Sequence, residues 1–231
     1  MDCPAPECSW SGQILRSEET AISPCVNQAF LMATTRMGYL VLVSIAILLL
    51  LSVVVVAIHP SLSIYTNGIR LAGLAGFSLL AIAAIMTPWV REIHQTFGSS
   101  FLSIHHLFSI TGLILITLHP VLLAVRLMNA LVFLPRLGSL QVVLSNAGRP
   151  SLILIYIALA GVMLRRVMPG YWRFFHALIW VALLLGIVHG NLVGTDMKNP
   201  IVFVTFNSLM AVALGAFLLK RFKRRAPSKS E

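Results

Sequence analysis

Six runs of apolar residues, at positions 38–58, 69–89, 101–125, 150–167, 174–193 and 201–219, constrain this chain more than any other feature. Each is close to the roughly 20 residues that carry a helix across a bilayer core. Lipid offers no partner to a bare N–H or C=O, so all six are expected to be helical. Turn chemistry separates them: Pro60, Asn67-Gly68, Gly98-Ser99, Asn146-Ala147-Gly148, Pro169-Gly170 and Asn199-Pro200. Only 10% of the 231 residues are charged and 58% are hydrophobic, whereas soluble domains carry about 25% charged residues. That balance excludes a soluble enzyme and a disordered chain. The expected fold is all-α, a polytopic six-transmembrane-helix bundle over 37–220. A polar N-terminal segment, 1–36, precedes it, and a basic cytoplasmic tail, 221–231, follows.

Lys and Arg number 17 against 7 Asp and Glu, a net charge of +10. In a soluble protein this excess would raise nucleic acid as a partner. Between apolar spans it reads as topology instead, and no nucleic acid is expected. With the N-terminus inside, Arg16, Arg36, Arg91, Arg165, Arg166, Arg173 and the basic residues of 220–229 fall on the inner side. Arg70, Arg126, Arg136, Arg149 and Lys198 fall outside. The bias predicts an N-in, C-in protein of the cell (plasma or inner) membrane. The basic tail also suits anionic headgroups. The long loop 127–149 carries apolar pieces and is expected on the membrane surface. Cys3, Cys8 and Cys25 all precede the first run and fall short of the four ligands of a zinc site, so no metal is expected there.

Chemistry inside the membrane rests on histidine. His59 and His94 fall at span ends or in connections. The other five, His105, His106, His119, His176 and His189, lie on two spans only: FLSIHHLFSITGLILITLHP in the third and YWRFFHALIWVALLLGIVHG in the fifth. Ionisable groups within a span are costly and point to function. No Asp or Glu lies within any span, which argues against a proton relay or cation transporter. A neutral imidazole is a good axial ligand for haem iron. His105 and His119 are 14 residues apart, His106 and His119 are 13, and His176 and His189 are 13. These spacings rise roughly 20–21 Å along a helix. Spans three and five run in the same direction, so His105 or His106 lies level with His176, and His119 with His189. Two b-type haems, each clamped by one histidine from each span, would stack across the membrane.

Angular position separates the candidates. At about 100° per residue, 14 steps return to within about 40° of the first face and 13 leave about 140°. This favours His105 over His106. It also requires a bulge in the fifth span, near Gly186, or a changed approach angle for one ring. The plainer alternative is packed histidines hydrogen-bonded between helices.

The two histidine-bearing spans resemble the ferric reductase-like transmembrane domain, a family that includes ferric reductases, NADPH oxidases and the haem-binding membrane subunit of the bacterial methionine sulfoxide reductase system. The likeness lies in HHLFSITGLILITLHP, in YWRFFHALIWVALLLGIVH and in the aromatic-Trp-Arg lead into His176. The resemblance implies His105 and His176 as ligands of an inner haem, and His119 and His189 of an outer one. It covers roughly residues 38–220. Ser109 stands where the family often has a glycine. No G-x-G-x-x-G or P-loop occurs, so no flavin or NAD(P)H site is expected. Electrons are then expected from a separate flavoprotein, a quinol or another carrier, and the acceptor is open. Arg166 and Arg173, with Arg165, flank the inner level and Arg126 the outer one, where Arg can fork onto haem propionates. Trp172, Phe174, Phe175 and Trp180 are candidates to edge a macrocycle, and Gly112, Gly161, Gly186 and Gly190 to admit close approach. The expected role is the membrane haem subunit of an oxidoreductase. A single-haem, quinol-linked subunit of the sulfoxide reductase kind and a non-haem transporter are the alternatives.

Overall fold

The computed structural model of the protein describes residues 36–90, 101–136 and 138–225, with side chains described over 43–90, 101–136 and 138–219. Cys3, Cys8, Cys25, Arg16, Arg91, His94, the polar segment and the side chains of Arg36 and the basic tail lie outside them. The described chain is all-helical, without a strand. In order come α1 (Arg36–Ile58), α2 (Ile64–Met86), α3 (Phe101–Leu127), the short α4 (Leu140–Ser145), α5 (Gly148–Met163), α6 (Trp172–Val193) and α7 (Pro200–Arg225). Single 3₁₀ turns extend α2 and α5, at Thr87–Trp89 and Leu164–Arg166, and two more lie in the connections, at Ala130–Phe133 and Asp196–Lys198.

Five helical stretches are long and apolar enough to cross a membrane: Ile64–Trp89, Phe101–Leu127, Gly148–Arg166, Trp172–Val193 and Pro200–Leu219. The described part of α1, Val43–Ile58, is apolar but shorter. Large apolar side chains such as Ile47, Leu50, Ile114, Val204 and Val212 point outward. Water would penalise such a surface, whereas a bilayer makes it neutral. The protein is therefore a multi-pass membrane protein.

The second span begins earlier than the turn signal Asn67-Gly68 predicts. Asn67 lies inside α2 and folds back on the preceding turn. Its Oδ1 accepts from the Ser61 amide at 2.7 Å, and its Nδ2 donates to the Ser61 carbonyl at 3.0 Å. A turn-favouring side chain here stabilises a helix start. Asn199-Pro200 behaves as expected: Asn199 Oδ1 caps the Ile201 amide at 2.9 Å, and Pro200 opens α7 where its missing N–H costs nothing.

α2 is the axis of the bundle. Leu74, Phe77, Leu80, Ala81 and Ala84 pack against Val55 and Val56 of α1, Ile155 of α5, Ala182, Leu183 and Ile187 of α6, and Val202, Phe206 and Met210 of α7. Its many Ala and Gly residues permit this, since small side chains let helix backbones approach. At Gly76 an added Cβ would come 2.7 Å from the Ile116 backbone nitrogen, so α2 and α3 cross on bare backbone. Some hydroxyls bond within their own helix: Ser78 donates to the Leu74 carbonyl at 2.8 Å and Thr117 to that of Leu113 at 2.7 Å. Ser151 reaches from α5 to the Ala182 carbonyl on α6 at 2.7 Å. Asn191 and Asn207 exchange amide hydrogen bonds between α6 and α7 at 2.9 and 3.1 Å. Interhelical bonds of this kind contribute about 0.6 kcal/mol each.

Packing is densest between α2 and α3 and between α5 and α6. The two histidine helices, α3 and α6, each lean on a different neighbour and make little backbone approach to each other. The space between these two pairs is where the imidazoles project.

Candidate functional site: two tiers of histidines

His105, near the start of α3, and His176, near the start of α6, come together with ring centroids 6.4 Å apart and planes at 77°. Phe101, one turn before His105, stacks on its ring at 5.4 Å. His105 Nδ1 lies 3.2 Å from the Ala83 carbonyl on α2. A carbonyl only accepts, so Nδ1 carries the proton and Nε2 keeps its lone pair. The Ser109 hydroxyl donates to the His105 carbonyl at 2.5 Å, a role that glycine at this position would leave empty. His176 Nδ1 is buried without a hydrogen-bond partner among the described residues. His106 projects to the outside of the bundle. The one-residue difference between 13 and 14 thus separates an inward ring from an outward one.

The second tier lies near the other ends of the same helices. His119 Nδ1 lies 2.8 Å from the Ile69 carbonyl of α2, and His189 Nδ1 lies 2.7 Å from the Ser145 carbonyl at the end of α4. Both carbonyls fix the same tautomer, with Nε2 left as an acceptor. Each ring also rests on a glycine. A Cβ at Gly73 would come 2.9 Å from His119 Nδ1, and one at Gly148 would come 2.8 Å from His189 Cδ2. Both rings line a cavity of about 630 Å³ bounded by α2, α3, α5 and α6. Such a volume is within the roughly 300–1,000 Å³ of small-molecule and cofactor sites. Phe77, Ile116 and Ile155 supply apolar walls, and Arg126 and Arg149 stand at its edge.

The N-terminal histidines of α3 and α6 therefore meet each other, and the C-terminal ones share a cavity, as two helices running in the same direction require. No bulge is needed. α6 is an uninterrupted α-helix from Trp172 to Val193. His176 turns toward α3, whereas His189 turns toward the α4–α5 corner and enters the cavity from that side. The 140° between them is taken up by approach angle.

The remaining predicted residues divide. Arg173 lies over the Trp172 ring at 5.5 Å and is exposed, as is Arg166. Both lie at the His105 end, and neither bonds to a tier histidine. Trp180 packs on Phe217 of α7 at 4.8 Å, and Phe174 faces outward. Gly161 admits the Phe175 side chain against α5, one residue from His176. His59 is exposed at the end of α1.

Several participants escape sequence reasoning. The Ile69, Ala83 and Ser145 carbonyls are backbone and carry no residue signature. Gly73 and Gly148 look like ordinary helix-packing glycines. Arg70 and Asp196 form a forked ion pair across 126 positions of sequence, with Arg70 Nε 3.1 and 3.0 Å from the two carboxylate oxygens and Nη2 bonded to Oδ1. Arg70 Nη1 also donates to the His59 carbonyl at 2.6 Å. The pair borders the second-tier cavity.

Among the described residues no group of three His, Cys, Asp or Glu could hold a bare metal ion. Pairs of imidazoles suit a metal whose other coordination positions are filled by a prosthetic group, as in haem. Three pinned Nδ1 atoms, on His105, His119 and His189, glycines under two rings and an apolar cavity with arginines at its rim fit that chemistry. No protein-family model, characterised protein or solved structure matches the chain.

Proposed function

We propose that this protein is the membrane subunit of an oxidoreductase that carries electrons across the cell membrane by way of two b-type haems, within a six-span, N-in, C-in bundle related to ferric reductases. The observation that supports it most is the pairing itself: four half-buried imidazoles from two parallel helices fall into two tiers. Haem b, when bound, supplies a one-electron iron couple. His105 and His176 hold the inner one, His119 and His189 the outer. The Ala83, Ile69 and Ser145 carbonyls keep three of these rings in one tautomer and one orientation. Arg126 and Arg149 at the outer tier, and Arg166 and Arg173 at the inner one, are the donors for carboxylates. A group held between His119 and His189 would lie against the apolar Phe77, Ile116 and Ile155 side chains. A separate flavoprotein or a quinol is the electron donor.

A pyridine haemochrome count with oxidised-minus-reduced spectra tests this reading. Two haems per chain are expected. Substituting His105 or His176 by Ala should remove one, substituting His119 or His189 the other, and His106→Ala neither. A second reading, a single haem at the outer tier, is favoured by the cavity that His119 and His189 line there. It requires that His105→Ala leave the spectrum intact.

A further inference from the structure

The strap of chain that leaves α3 forms one wall of the second-tier cavity. Val132 and Phe133 line it. Val132 is buried, at 8% exposure, whereas its neighbours Leu131 and Leu134 are exposed. The wall is therefore a single layer of chain between the cavity and the exterior.

Two devices hold the strap in place. The first is the end of α3. The Asn129 amide donates to the Ala124 carbonyl at 3.0 Å, and the Met128 amide to that of Val125 at 3.2 Å. This is the Schellman ending of a helix, whose left-handed position usually falls to glycine or asparagine. Met128 occupies it here, with φ 49°, and is the only non-glycine residue of positive φ among those described. Its side chain is 90% exposed, so packing does not hold it there. Asn129 Oδ1 then accepts from the Leu131 amide at 2.9 Å and starts the turn Ala130–Phe133. The second device is Arg149, which also lines the cavity. Its Nη1 donates to the Leu134 carbonyl at 2.6 Å and to that of Leu131 at 3.3 Å. Among the described residues, no other hydrogen bond ties 130–134 to a helix beyond α3. These bonds leave Nε and Nη2 of Arg149 unused, and that edge of a guanidinium takes a carboxylate in a fork.

We infer that Met128–Leu134 is a lid on the His119–His189 cavity, turning on the Met128 cap and latched by Arg149, through which the occupant of the cavity enters and leaves. An occupant with a carboxylate on the Nε–Nη2 edge fixes the guanidinium in the pose that bonds the strap, so a filled cavity keeps the lid shut. Haem as that occupant rests on the function proposed above; the lid itself does not.

The lid is tested by the rate at which a maleimide labels Val132→Cys in detergent micelles, with Cys3, Cys8 and Cys25 replaced by Ser. A thiol at this buried position reacts when the strap lifts. Met128→Val places a β-branched residue at positive φ and should speed labelling about tenfold. Met128→Asn, which suits the left-handed position, should change it by less than about twofold. Protein from haem-depleted cells should label faster than loaded protein. A second measurement needs no cysteine: transfer of haem to excess apomyoglobin. Met128→Val should speed loss of the haem that His119→Ala removes and leave the other unchanged. One labelling rate in all variants overturns the lid, and haem loss indifferent to Met128→Val overturns its role as the door. Labelling as expected in a protein that holds no haem supports the lid and contradicts the haem reading instead.

Discussion

His119 and His189 each rest where a neighbouring residue lacks a side chain, and each gives its Nδ1 proton to a backbone carbonyl. The two constraints act together: the carbonyl sets the tautomer and the glycine lets the ring lie against the helix. A branched side chain at either glycine must displace the ring, because a Cβ alone already falls within 3.0 Å of it. Gly148→Val is therefore expected to lower outer-haem occupancy by more than half while the inner haem's spectrum is retained; equal loss of both would point to a folding defect. At this scale the sequence was partly legible. Helical phase separates His105 from His106 because both lie on one regular helix. The carbonyl partners were not legible, since any residue supplies one and only the packing of α2 and α4 selects which.

Among elements, the link between the start of α2 and the α6–α7 connection stands out, because it is made by a forked ion pair that is largely out of water, at 13% and 8% side-chain exposure. Removing one member of such a pair strands the other. Asp196→Asn is expected to destabilise the protein by about 3–5 kcal/mol, whereas replacing both partners by apolar residues of similar volume should recover most of that. Unfolding in detergent micelles, followed by helical circular dichroism, measures both. A similar loss in the double variant would show that the pair itself holds the connection in place. Helix existence was readable from apolar length, but the pair was not, because its members are separated by more than half the chain. The start of α2 was misplaced because Asn67-Gly68 carries turn chemistry in either context, and only the bonds from Asn67 to Ser61 show that the turn precedes it. The fifth span needed no bulge because its two histidines address different neighbours.

At the level of the whole molecule, an apolar exterior, an Ala- and Gly-rich central helix and two tiers of imidazoles describe a membrane protein whose interior chemistry is concentrated on α3 and α6. The proposed topology puts Lys198 outside and Arg166 inside. With Cys3, Cys8 and Cys25 replaced by Ser, a cysteine at position 198 should react with an impermeant maleimide in intact cells, and one at position 166 only after permeabilisation; the opposite pattern would invert the bundle. Whether the paired histidines hold haem is read from the haem-to-chain ratio of the purified protein. Two b-type haems per chain are expected, falling to one in His119→Ala. A correctly folded protein from haem-replete cells that shows no Soret absorption would contradict it.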